Sequence, residues 1–143
     1  MENETRPPVP SDATAPADKQ APRKTAIVYA CSGCSDAGGI ADRVARQLAR
    51  DGAAQMSCLA GIGGRVKSIL LKAHHAGRIL VVDGCPLNCA AHTLRLAGFE
   101  QFEHLELHRL GLRKGSCPPT EERIAAGVAA AKEILARREG TGP

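Results

Sequence analysis

The chain has 143 residues and a formal charge of +4, with 43% hydrophobic and 24% charged residues, the balance of one globular domain. With no Trp, two Phe and one Tyr it lacks the aromatic platform on which single-stranded nucleic acid stacks, and its mild charge predicts no nucleic-acid or membrane partner. No apolar run reaches the ~18 residues that a bilayer requires. The start, Met1-Glu2-Asn3-Glu4, is polar and acidic where a signal peptide would be basic and then apolar. A cytoplasmic protein is expected, and there its six cysteines should be reduced thiols suited to metal or redox chemistry.

Residues 1–24 read as a disordered tail, because five of the nine prolines stand there among small and charged residues. Its four acids and four bases cancel, so the net charge belongs to the rest of the chain. Residues 25–139 are predicted to form a single α/β cysteine-rich domain, with residues 140–143 a disordered C-terminus. Ala26 to Ala30 is an apolar strand running into Cys31. An amphipathic helix comes next, with Ile40, Val44 and Leu48 on one face and Gly52 closing it. Ala54 to Leu59 is a weaker second strand, and Val66, Ile69, Leu70 and Ala73 mark a second helix stopped by Gly77. Ile79 to Val82 is the most hydrophobic run and ends at Asp83-Gly84-Cys85. Pro86 suits a first helical position, with Cys85 as the cap, and Gly98 ends that third helix. His104 to His108 alternates polar and apolar residues as an edge strand does. Thr120 caps a last helix with Ile124, Val128, Ala131 and Leu135 as its stripe.

Strand–helix units of this length imply right-handed crossovers and a parallel sheet. The first and third strands are continuously apolar and belong in the centre; the second and fourth alternate and belong at the edges. The expected fold is therefore a small four-stranded parallel sheet of order 2-1-3-4, flavodoxin/Rossmann-like, with helices on both faces.

On this scaffold Cys31, Cys34, Cys58, Cys85 and Cys89 all fall at the carboxyl ends of strands. In an open α/β sheet, ligands bind at that rim, where the strand order reverses. Here that point lies between the first and third strands, so the Cys31-Cys34 turn should face Cys85 and Cys89. Two such half-sites supply the four thiolates of a tetrahedral zinc site. A helix N-terminus beside Cys85 and Cys89 would favour thiolate. A single cysteine is commonly just a small buried hydrophobe, but five on one rim are not explained that way. Cys117, in a Gly-Ser-Cys-Pro-Pro loop, is read as incidental, and His92 as a solvated surface residue, the other histidines lying on helix or edge-strand surfaces.

Gly61-Ile62-Gly63-Gly64-Arg65 could form an anion-binding nest, yet it lacks the third glycine of the dinucleotide fingerprint and is read as a tight turn. Phosphatase and P-loop motifs are absent. Arg109, Arg113 and Lys114 read as a solvated turn.

Three ordered motifs carry a family resemblance: Cys31-Ser32-Gly33-Cys34-Ser35, Cys58-Leu59-Ala60-Gly61-Ile62-Gly63-Gly64, and Asp83-Gly84-Cys85-Pro86-Leu87-Asn88-Cys89-Ala90. Over roughly Ile27 to Lys114 the chain resembles the DGC-domain family of proposed zinc-binding proteins. The resemblance implies a small bacterial-type cytosolic protein whose cysteines chelate zinc, and it points to no particular reaction. The leading expectation is a metal-binding protein holding Zn²⁺ on Cys31, Cys34, Cys85 and Cys89, with Cys58 adjacent, in metal sensing or delivery. A fifth thiol beside four ligands suits exchange, or an iron–sulfur cluster in place of zinc. The alternative from another class is a thiol-redox enzyme in which Cys31 attacks and Cys34 resolves; it leaves three cysteines unexplained. A binding module for an anionic metabolite at the Gly-rich loop trails both. The metal ion is the one partner read from the residues; a protein partner is not.

Overall fold

The computed structural model of the protein describes residues 25–137. The expected leader at 1–24 and the segment 140–143 lie outside the described residues, as does the last stretch of the expected domain. In chain order the elements are β1 (Ile27–Ala30), α1 (Asp36–Arg50), β2 (Gln55–Met56), α2 (Leu59–Gly63), α3 (Lys67–His75), β3 (Ile79–Asp83), α4 (Cys89–Leu96), β4 (Glu103–Glu106), a 3₁₀ turn (Leu107–Leu110) and α5 (Glu121–Ala136). The four strands form one parallel sheet of order β2-β1-β3-β4, as expected. Ile27 pairs with Ile79 and Ala30 with Val82, so β1 and β3 end level at the carboxyl rim.

The continuous hydrophobicity of β1 and β3 has a direct cause. Successive side chains point to opposite faces of a strand, and both faces here are covered. Val28, Ala30, Leu80, Val82 and Leu105 pack with Ile40, Val44 and Leu48 of α1 and with Ile124 and Val128 of α5. Ile27, Tyr29, Ile79 and Val81 pack on the other face with Ile62, Ala73, Ala91, Leu94 and Phe99. Among the described residues no helix is long and apolar enough to cross a membrane.

Four local expectations are corrected. The second strand is only two residues long, and the Gly-rich segment after it is the short helix α2, not a tight turn or a nest. Cys58 caps that helix, its Sγ accepting a hydrogen bond from the Gly61 amide at 3.3 Å. Tertiary packing then overrides poor helix propensity: Gly61 has no Cβ, and one there would overlap Ile69 of α3. The third expected helix starts not at Pro86 but at Cys89, so Cys85 does not cap it. Its first turn is capped by Asp83, a residue of the preceding strand. The fourth strand ends at Glu106, and Leu107 turns into the α1–α5 core, where it is fully buried.

Candidate thiol site at the carboxyl rim

Two turns build the rim. The first leaves β1 at Ala30 and carries Cys31 to Cys34, then enters α1 through Ser35, whose Oγ accepts from the Gly38 amide at 3.0 Å. Cys31 is partly buried and Cys34 exposed. Asp36, in the first turn of α1, accepts amide hydrogen bonds from Ala37 at 2.8 Å, Gly115 at 2.9 and 3.0 Å and Cys117 at 2.9 Å. That carboxylate pins the loop after β4 against the site. These hydrogen bonds, chiefly from Gly115 and then Cys117, hold its carboxyl down at about 2.

The second turn leaves β3 at Asp83. Asp83 is the buried charged side chain of this core, only 1% exposed. Its Oδ1 accepts from the Ala90 amide at 2.9 Å and its Oδ2 from the Ala91 amide at 3.1 Å, which satisfies the open first turn of α4. The local cap residue, Asn88, makes no such bond; it sits at φ 50° and instead donates through Nδ2 to Glu106 Oε1 at 3.0 Å. Gly84 lies against α1 so tightly that a Cβ would stand 2.5 Å from the Ala37 carbonyl carbon and 2.7 Å from the Gly38 nitrogen. In the Asp-Gly-Cys run, therefore, Asp83 caps a helix, Gly84 permits a close approach, and Cys85 is left facing the cleft.

Cys31, Cys34, Cys85 and Cys89 line one cleft of about 570 Å³, together with Asp36 and Lys114. Cys31 and Cys89 also line a neighbouring cleft of about 690 Å³ that holds Cys58 and Met56. These two cysteines thus form a shared wall, with the four-thiol cleft on one side and Cys58 on the other. The Gly84 amide donates to Cys31 Sγ at 3.4 Å, tying the two turns together. Burial pushes the Cys31 thiol up to about 11; the Gly84 amide opposes this, and the nearby Asp83, Cys85 and Cys89 add to it.

All six cysteines are free, and among the described residues no three His, Cys, Asp or Glu side chains stand close enough together to hold a metal ion as they are. The donor set suits a soft ion by its chemistry, since several thiols converge on one cleft. Closing a coordination shell would require the side chains to turn toward one point. Cys117 is 2% exposed in the α1–α5 core and lines neither cleft. His92 is exposed. His104 departs from the surface placement expected of the histidines: its side chain is 18% exposed and its Nε2 lies 2.8 Å from Asp83 Oδ2. No sequence pattern pairs residues 83 and 104; only adjacency of the third and fourth strands in the expected order could have suggested it. Lys114 likewise lines the thiol cleft and is not just part of a solvated turn. A further cleft of about 630 Å³ opens at the opposite end of the sheet, around Arg78 and Phe99. It holds no thiol, and Arg78 there is already bound to Glu103 and to the last carbonyls of α5.

The fold and rim define a class: a small parallel α/β domain that presents cysteines where its strand order reverses. The chain belongs to the DGC domain family, whose model matches residues 27–131. It is similar to the anaerobic and virulence modulator AnvM of Pseudomonas aeruginosa, 42% identical over 88 residues, covering 62% of this chain and 67% of that protein. No solved structure matches it.

Proposed function

We propose that this DGC domain is a metal-binding regulatory protein that takes a soft ion, zinc first among them, on thiolates of Cys31, Cys34, Cys85 and Cys89, with Cys58 as an exchange ligand. The observation that carries this reading is the single cleft lined by those four cysteines at the switch point of the sheet. A bound ion would supply positive charge that deprotonates its thiol ligands outright, which matters most for Cys31, whose thiol is otherwise neutral at physiological pH. The same high value weakens the redox alternative. A Cys31 nucleophile needs a depressed pKa, and burial has done the opposite. The name of the relative describes a modulator; carried to this chain it favours sensing over turnover.

The test is elemental analysis and the absorption spectrum of protein purified without added metal and without oxygen. Zinc near one equivalent with no visible colour supports the proposal. Brown protein with iron and sulfide replaces zinc by a cluster, and metal-free protein that binds none on titration overturns it. Cys85→Ser or Cys89→Ser should lower metal content, whereas Cys117→Ser should not. Cys58→Ser should keep the metal but slow its removal by a competing chelator.

A further inference from the structure

The Cys85–Cys89 turn carries two of the cleft's thiols and is closed by one bond of its own, from the Asn88 amide to the Cys85 carbonyl at 3.1 Å, while its side-chain bonds reach outside it. Asn88 is in a left-handed conformation, and its side chain caps nothing in α4. The helix is capped instead by Asp83, a carboxylate whose partners among the described residues are the amides of Ala90 and Ala91 and the ring of His104. An ionised Asp83 can only accept, so across the 2.8 Å contact His104 Nε2 is the donor. The ring is held in turn. Phe102 stands edge-on to it, centroids 6.0 Å apart at 86°, and Arg95 of α4 lies over the Phe102 face at 5.1 Å. A continuous chain of contacts therefore runs from α4 through Phe102 and His104 to Asp83 and back to the first turn of α4.

We infer that His104 is the positioning residue of the thiol rim: by holding Asp83, it fixes where α4 begins and hence how Cys85 and Cys89 are presented to the cleft. This rests on the rim being the functional site, though not on which metal it takes. The physical case is one of constraint. Asp83 immediately precedes Gly84-Cys85, and its oxygens bind the two residues immediately after Cys89. A rotation of that carboxylate moves both thiols at once. Cys31 is tied to the Cys85–Cys89 turn through the Gly84 amide, but the Cys34 end of the first turn is held by Ser32 and Ser35 and should not feel the change. Groups bonded directly to metal ligands tune affinity by roughly 10–100-fold; His104 acts further back, through Asp83, so the lower end of that range is expected.

The experiment uses the full chain, reduced and metal-free, as wild type, His104→Phe and His104→Gln. Phe keeps the ring's bulk and loses the donor; Gln offers a donor at about the same reach. Two quantities are read: the alkylation rate of each cysteine by mass spectrometry, and the affinity for cadmium from its thiolate absorption band. In His104→Phe, Cys85 and Cys89 should change their labelling rates several-fold while Cys34 and Cys58 keep theirs. Cadmium affinity should fall about 10-fold, and His104→Gln should restore both. Wild-type behaviour of His104→Phe overturns the inference. So does an equal change at every cysteine, which would mark His104 as a general fold residue, or a Gln variant as impaired as Phe. If the wild type binds no cadmium or zinc, the metal proposal fails, and the labelling pattern still decides the role of His104.

Discussion

The two cysteine turns leave neighbouring central strands at the same level, yet they lean on local and distant bonds to different degrees. The Cys31–Cys34 turn rests mainly on its own neighbourhood: the Cys34 amide bonds the Ser32 carbonyl at 2.8 Å, the Gly39 amide the Ser35 carbonyl at 2.7 Å, and Ser35 caps α1, with Cys31 and Asp36 as its ties to distant residues. The Cys85–Cys89 turn has one bond of its own, from the Asn88 amide to the Cys85 carbonyl, and is otherwise built from elsewhere: a buried Asp83, a histidine on β4, Asn88 bound to Glu106, and a glycine wedged on α1. One pair of thiols is presented mainly by a local turn and the other mainly by a tertiary clamp. The Asp and Gly beside Cys85 are accordingly parts of the clamp, while Ser32 and Gly33 beside Cys31 are turn residues, and Gly33 has space around it.

Adding one methyl group to each turn should separate the two designs most clearly. Gly84→Ala would drive a Cβ into the backbone of Ala37 and Gly38, at 2.5 to 2.7 Å, where no flexible side chain can yield. It should cost roughly 3 kcal/mol in denaturant unfolding. Gly33→Ala meets nothing nearer than 3.7 Å and should stay within about 0.5 kcal/mol of wild type. Equal costs would show that both turns are equally clamped.

A smaller effect concerns the long-range tie of the first turn. The Asp36 carboxyl sits at about 2, below its ordinary 3.8, because amides of Gly115 and Cys117 favour its charged form. A depressed carboxyl contributes stability above its unfolded value and loses it as pH falls through its folded value. Wild type should therefore exceed Asp36→Asn in stability near neutral pH, and the gap should close between about pH 4 and pH 2. A gap that persists unchanged to pH 2 would mean that Asp36 acts through shape and not through charge.

The smallest effect leaves stability near neutral pH untouched and reads reactivity alone. With its thiol pushed up to about 11 by burial, Cys31 should be alkylated at pH 8 more slowly than exposed Cys34, and the gap should narrow as pH approaches 11. Stability moves in the same direction: a raised thiol contributes while protonated, below its ordinary value of 9.0, and that contribution fades as pH climbs through 11. Faster labelling of Cys31 than Cys34 at pH 8 would revive the redox reading.

The four parallel strands, their order, and the five cysteines at one rim were all legible in the sequence. They follow from apolar periodicity, which reports how many faces of an element are covered, and from crossover handedness, which leaves few topologies open. Helix starts were legible where a polar residue caps its own helix, as Ser35 and Thr120 do. They were not legible where the cap is a cysteine opening a glycine-rich segment, as at Cys58, or a residue of the preceding strand, as Asp83 is for α4. Three features came only with the assembled fold: Cys31 and Cys89 form the wall between two clefts, Gly84 must be glycine because α1 lies against it, and His104 reaches the rim through a carboxylate 21 residues away in the chain. The physical reason is range. Periodicity and capping are encoded within a few residues, whereas a buried carboxylate finds its partners across strands, and single-chain spacing carries no record of which side chains the completed sheet will bring together.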